Sequence, residues 1–385
     1  MSTQQLGLER RQARGRFLRD LGSPAEIFSN LTPNWYASIM GTGIVAAAAA
    51  SLPWQPRGLH TAAFVVWVLA AFLLVALTVA TVTHWVRSPG AARRHLLNPV
   101  ASQFYGAPPM AMLTVGAGTL LLGRDVLGLH AAVNIDWVLW FAGTITGLAA
   151  AVLVPFVMFT QHELKADSAF GGWLMPIVPP MVSASTGALL VPYAPAGQAR
   201  LAMFLCCFAM FGLSLLASIV VITLIWYRLA VYKTGEAAAV PTVWIVLGPV
   251  GQSITAANLL AGVAPQALPR PYSTALQAFG VLYGVPLWGF GLLWGTIAVA
   301  ITVRTIRAHL PFSLTWWSFV FPVGTMVEGT SGLALHTGSD LFRVAAVAFY
   351  VALVAAWVTV AARTANGSFR GTLFLPPGVR PATDR

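Results

Sequence analysis

The chain has 385 residues, of which 57% are hydrophobic and only 9% charged. A soluble protein cannot hide that much apolar surface, so the composition specifies a polytopic membrane protein and excludes a soluble globular one. The formal net charge of +11 does not point to nucleic acid, because the basic residues are spread among loops between apolar runs, where they report orientation.

Residues 1–33 open the chain as a polar segment with Arg10, Arg11, Arg14, Arg16 and Arg19. No cleavable leader is read there, and the segment is expected to be a cytoplasmic tail. Ten apolar runs of spanning length follow, at roughly 34–52, 60–84, 100–122, 134–160, 172–192, 199–229, 241–263, 273–303, 314–335 and 340–363. They define an all-α transmembrane domain over residues 34–363. Residues 364–385, with Pro376, Pro377 and Pro381, are expected to form a short, poorly ordered cytoplasmic tail.

Charge placement supports this count. With the N-terminus inside, all but five of the 22 Lys and Arg fall in cytoplasmic segments, and Arg57, Arg124, Arg200, Arg270 and Arg343 fall one to each outer loop. That bias favours ten helices with both termini cytoplasmic. Of the 11 acidic residues, all but Glu328 are read as lying in a terminus, a loop or a segment end.

The runs sort into two kinds. Odd segments are interrupted by Gly and Pro: Gly41 and Gly43 in the first, Gly106, Pro108 and Pro109 in the third, Pro176, Pro179, Pro180 and Gly187 in the fifth. The seventh has Gly248, Pro249 and Gly251, and the ninth Pro322, Gly324 and Gly329. Segments 2 and 10 have neither Gly nor Pro. Broken helices are tolerated where protein or a water-filled cavity, not lipid, meets the freed backbone groups. The expectation is five helical hairpins, with five bent helices ringing a path and five smoother ones outside. Segment 4, with Pro155, and segment 8, with six Gly or Pro between Gly280 and Gly295, depart from it. The small residues of segment 8 suit close helix contacts within or between subunits.

Segment 9 reads Trp316 to Gly332, with Pro322 in mid-run, where it should kink the helix. Helical spacing puts Trp317, Phe321, Thr325 and Glu328 on one face. That stripe suits the wall of a path, and a kinked helix packed on its neighbours fits the same pattern. The inner segments have no Lys, Arg or His in their interiors, and their polar content is neutral, including Gln103, Ser185, Thr186 and Asn258. Candidate lining residues are Thr42, Gly43, Tyr105, Pro109, Pro180, Ser183, Gly248, Gln252, Thr255, Pro322 and Thr325. Such a lining holds ions weakly, as conduction requires, and would also pass a neutral solute. Glu328 is the one carboxyl placed within a span. It is the candidate for proton coupling, unless it sits at the outer mouth.

Enzyme readings find little support. His162 and Glu163 adjoin without a His-Glu-x-x-His pattern, and no phosphate-cradling loop or Gly-x-Ser-x-Gly is present. Adjacent Cys206 and Cys207 lack partners for a metal site and read as small apolar residues in a helix. No metal or cofactor is expected. Asn30 and Asn366 match the glycosylation pattern but lie on the predicted cytoplasmic side.

Four strings carry a resemblance: Met40-Gly-Thr-Gly-Ile-Val45, Phe104-Tyr-Gly-Ala-Pro-Pro-Met110, Leu247-Gly-Pro-Val-Gly-Gln252 and Phe321-Pro-Val-Gly-Thr-Met326. They resemble the tellurite-resistance/dicarboxylate transporter family, which includes yeast malate permease, fungal sulfite efflux pumps and plant slow anion channels. The last two strings look most like the sulfite-efflux branch. The resemblance implies a homotrimer in which each subunit has its own pore, five inner helices around that pore, and a Phe on the ninth helix that occludes it, here Phe321. It implies a small-anion substrate, sulfite or a C4-dicarboxylate such as malate, carried across the plasma membrane. A neutral-solute pathway and a membrane-embedded enzyme are the alternatives.

Overall fold

The computed structural model describes Leu18, Asp20, Leu21, Ile27 and residues 31–375. The arginines named above in residues 1–33, together with Asn30, Pro376, Pro377 and Pro381, lie outside the described residues. Among the described residues there is no strand, and ten α-helices have twelve residues or more. They are α1 (Tyr36–Ser51), α2 (Leu59–Arg87), α3 (Ala107–Gly118), α4 (Leu129–Gln161), α5 (Pro179–Leu190), α6 (Gln198–Tyr232), α7 (Leu247–Ala267), α8 (Tyr272–Arg307), α9 (Phe321–Thr337) and α10 (Asp340–Arg370).

The helices differ widely in burial. In α1, 14 of 16 residues are buried, and in α5, 11 of 12. In α2 only 5 of 29 are buried, and in α8 only 6 of 36. A helix apolar all round and buried all round has protein on every side, whereas one burying a single stripe leaves the rest to lipid. Phe72, Phe159, Leu216, Leu282 and Val344 stand on such outward faces.

Among the described residues, seven stretches are long and apolar enough to cross a membrane: Leu59–Arg87, Ala101–Leu127, Leu129–Gln161, Gln198–Tyr232, Ala237–Ala267, Tyr272–Arg307 and Asp340–Arg370. The α-helical parts of α1, α5 and α9 are shorter. Each buried helix is entered through a 3-10 segment: Pro33–Trp35, Ala101–Gly106, Gly171–Leu174, Ala237–Val246 and Leu314–Phe319.

This changes the role expected of proline. Pro322 does not kink the middle of a continuous helix. It occupies the first turn of α9, after the 3-10 segment Leu314–Phe319, where its missing N–H removes no helical bond. Prolines also stand in the first turns of α3 and α5.

Two further expectations are corrected. Residues 364–370 are not part of a disordered tail, because α10 continues to Arg370 and ends at Gly371 with φ 93. Thr364 accepts a bond from Trp317 Nε1 at 3.1 Å, which fastens that last stretch to the fold. Asp136 does not lie at a segment end, because α4 begins at Leu129 and places it two turns inside. It is fully buried, and neither carboxyl oxygen has a hydrogen-bond partner among the described residues.

Indole N–H groups tie exposed helices to buried ones. Trp67 of α2 donates to Val115 O of α3 at 3.2 Å, and Trp140 of α4 donates to Ser183 O of α5 at 2.9 Å. Trp288 of α8 donates to Thr330 Oγ1 of α9 at 3.0 Å, and Trp357 of α10 to Thr42 Oγ1 of α1 at 3.2 Å. An indole N–H in an apolar layer needs an internal acceptor, so each bond also fixes how its helix is rotated. From α6, which lacks such an indole bond, Ser214 Oγ donates to Ile177 O at 2.6 Å.

Helices α7 and α9 cross at close range. A Cβ on Gly251 would stand 2.6 Å from the backbone N of Met326, so only glycine permits this approach. Gly284 and Gly291 of α8 likewise face Leu333 and Met326 of α9, so these two small residues of segment 8 serve contacts within the chain.

Candidate functional site

One large cavity, about 630 Å³, opens among the buried helices. Its wall comes from one stripe of each. From α7 come Gln252, Thr255, Asn258, Leu259, Gly262 and Val263, at the 3-4 spacing of one helical face. From α9 come Phe321, Glu328, Ser331 and Leu335, from α5 Val182, Ser185, Thr186 and Leu189, from α1 Ile44 and Ala47, and from α3 Thr114 and Ala117. His336, Arg343, Ser51 and Pro53 line it as well.

Phe321 lines this cavity as well. Its side chain is 2% exposed. It also lines a second, much smaller chamber of about 20 Å³ with Ala37, Met40, Phe104, Gly248, Leu314 and Pro322. That chamber has room for about one water molecule and almost no polar surface. Phe321 therefore belongs to the walls of both a large cavity, the vestibule, and a small apolar one.

The hydrogen bonds determine what the vestibule can offer a solute. Thr114, Thr186 and Thr255 each give their hydroxyl proton to the carbonyl four residues back, at 2.6, 2.8 and 3.0 Å. They present lone pairs rather than donors. Ser185 donates to Val182 O at 2.9 Å and accepts from Gln252 Nε2. With its proton spent on Val182, Ser185 fixes which end of the Gln252 carboxamide it meets, and one N–H of that carboxamide stays unspent. Ser331 Oγ has no hydrogen-bond partner among the described residues. Neutral donors on an apolar wall can orient a small anion without holding it as a buried Arg or Lys would.

The comparisons with known proteins bear on the solute. Residues 30–365 match the SLAC1 family model, described as voltage-dependent anion channel. The chain belongs to the voltage-dependent anion channel family. A sulfite efflux pump of Arthroderma otae is 30% identical over 352 residues, covering 90% of this chain and 93% of that protein. An uncharacterized transporter of Methanocaldococcus jannaschii is 25% identical, with 90% and 97% covered. A malic acid transport protein of Schizosaccharomyces pombe is 22% identical, with 86% and 76% covered. This is the family that the sequence strings resembled, one of anion channels and transporters, and its member here is an integral membrane protein.

The geometry distributes the sequence-predicted residues of this anion-channel relative unevenly. Phe321, Gln252, Thr255 and Glu328 come together on the vestibule wall, and Gly248 and Pro322 join Phe321 at the small chamber. The others line neither space. Thr42 accepts the Trp357 indole bond. Gly43 packs on Thr114, and Pro109 approaches Gly147 of α4. Tyr105 stacks edge-on with Trp85, their ring centroids 6.4 Å apart. Pro180 is buried in the first turn of α5. Ser183 gives its carbonyl to Trp140. Thr325 donates to Pro322 O at 2.7 Å and lies 3.2 Å from Leu247 O, facing α7.

Ser185, Thr186, Asn258, Ser331, His336 and Arg343 belong to the wall and were not among the predicted lining residues. Asn258 continues the Gln252–Thr255 spacing by one more turn, a legible signal. Ser331 stands ten residues after Phe321 and three after Glu328, again on the same face. His336 and Arg343 had no such signal, because both were read as parts of an outer connection.

Proposed function

We propose that the vestibule is the outer half of a path for a small anion, sulfite or a C4-dicarboxylate such as malate, and that Phe321 is its stopper. The single observation behind this reading is the shared position of Phe321, which lines the large vestibule and the small apolar chamber alike. The substrate follows from the relatives named for sulfite efflux and malic acid transport. The wall suits either anion, with an unspent Gln252 N–H and the Ser331 hydroxyl.

In this reading ten helices cross the bilayer as five hairpins. The buried set α1, α3, α5, α7 and α9 rings the path, and the exposed set shields it from lipid. Both termini are cytoplasmic, in line with the distribution of Lys and Arg, so the vestibule faces outward across the plasma membrane. Three copies assemble, each with its own path, as the resemblance implies. Glu328, on the vestibule wall, is the group through which a proton accompanies the anion. The protein acts by transport, not by covalent chemistry.

The test is competitive uptake into proteoliposomes. Radiolabelled sulfite is taken up by the purified protein, and unlabelled malate and nitrate compete. Saturable sulfite uptake against which nitrate competes at least about tenfold less well than unlabelled sulfite or malate supports the reading. Uptake no faster than in protein-free vesicles rejects it, and uptake of neutral solutes without anion current moves the function to the neutral pathway.

A further inference from the structure

The face of α7 turned away from the vestibule borders another opening, between the exposed helices α6 and α8. Both helices pack on α7, and they meet each other at two levels. Phe211 of α6 stands edge-on to Phe279 and Tyr283 of α8, with ring centroids 6.2 and 5.6 Å apart. Trp226 of α6 meets Trp294 of α8 at 5.8 Å. These bridges are about 22 Å apart along α6, at 1.5 Å per residue. Between them lies a window of about 270 Å³. Helix α6 contributes Ser218 and Ile219 to it, α8 contributes Phe290, and the buried α7 contributes Pro249 and Ser253.

Its size and chemistry select the occupant. None of the lining residues is charged. Ile219, well inside the span of α6, is 52% exposed, so the window opens toward lipid. A helix of a second copy, about 10–12 Å across with its side chains, is too thick to enter such a volume. A cavity of ~150 Å³ already admits benzene, so a small molecule dissolved in the membrane fits. Two of the lining hydroxyls are spent: Thr223 donates to Ile219 O and Ser253 to Val250 O, each at 2.8 Å. Ser218 is 1% exposed, and its Oγ has no hydrogen-bond partner among the described residues. A hydroxyl in an apolar layer is costly unless something accepts its proton.

We propose that this window binds a small neutral lipophile carrying a hydrogen-bond acceptor, such as a ketone or an ether, with Ser218 as the donor. The site also touches the anion path, because Pro249 lines the window and the small chamber beside Phe321 alike. That chamber, about 20 Å³, holds about one water molecule and must widen to pass an anion. Close-packed walls have little room to move, and behind Pro249 the empty window supplies it. A ligand in the window removes that room, so anion flux should fall. The binding site stands on its own geometry, and only the effect on flux rests on the anion-path reading.

The test uses full-length protein in proteoliposomes and a diazirine-bearing octanone as photolabel, with adducts located by mass spectrometry. Labelling should fall on residues 215–223 and 287–290, and Ile219→Trp, which fills the window, should abolish it. At equal membrane concentration, unlabelled octanone should displace the label about fivefold better than octane. Ser218→Ala should erase that preference, which a merely structural serine would not do. Label spread evenly over the exposed helices, or unchanged by Ile219→Trp, overturns the site. Label that enters dispersed monomers but not the assembled protein also overturns it, and gives the window to a second copy. Equal displacement by octanone and octane in the wild type overturns the role of Ser218. Octanone should lower sulfite flux at least about twofold in the wild type and leave Ile219→Trp unaffected. Equal sensitivity of the two overturns the coupling through Pro249. A wild type that carries no anion rejects the transport reading and the coupling, while the labelling still decides the site.

Discussion

Trp357 Nε1 donates to Thr42 Oγ1 across 3.2 Å, joining α10 to α1. Thr42 is 2% exposed and lines neither the vestibule nor the small chamber. Its hydroxyl therefore serves helix packing. Thr42→Val keeps the shape and deletes the acceptor, and should cost about 0.6–1.5 kcal/mol of stability. The check is thermal unfolding in detergent, with a lowered midpoint expected and anion uptake per folded molecule kept within about twofold of wild type. A large loss of uptake at unchanged stability would place Thr42 back on the path.

The glycines of α7 should divide sharply. Gly251→Ala pushes a methyl against the Met326 backbone at 2.6 Å, and neither helix can yield without moving the crossing. Overpacking of that kind costs about 1–3 kcal/mol, so this variant should express poorly or melt early. Gly262 lies on the same helix and on the vestibule wall, where an added methyl would meet no atom within 4 Å. Gly262→Ala should fold as well as wild type. Equal stability of the two variants, measured by thermal unfolding, would deny the close crossing.

Gln252 of α7 and Ser185 of α5 form a hydrogen-bonded polar pair on the vestibule wall. Gln252→Leu removes the unspent N–H and leaves the serine oxygen without its donor. Loss of one anion contact worth about 1.5 kcal/mol corresponds to an approximately tenfold rise in the half-saturating anion concentration. Concentration dependence of uptake reads this directly. A purely structural Gln252 would lower the melting point and leave that concentration unchanged.

Much of the fold was legible because breaks in a membrane helix are costly unless protein receives them. Gly and Pro content alone separated α1, α3, α5, α7 and α9 from α2 and α10, and Pro322 marked the true junction although it starts the helix rather than bending it. Helical spacing put Phe321 and Glu328 on one face and both line the vestibule, whereas Gln252 and Thr255 were picked out as neutral polar residues of a broken segment. Thr42 and Thr325 were assigned to the path because a hydroxyl reads the same on a wheel whether it faces a lumen or a neighbouring helix. The difference lies in the partner: Trp357 for one and the start of α7 for the other. Asp136 was misplaced by a boundary error of one and a half turns at the start of α4. His336 and Arg343 escaped notice because the last turn of α9 and the first turn of α10 were read as edges, whereas both line the vestibule.

The central claim is that one aromatic ring closes an otherwise open route. Phe321→Ala tests it most directly, through anion current or tracer flux in proteoliposomes at matched amounts of folded protein. Removing the ring joins the vestibule to the small chamber, and flux should rise by about tenfold or more, since each ~1.4 kcal/mol taken from a barrier is a factor of ten. Flux that stays at the wild-type level, or falls, in a variant that remains folded would contradict the account.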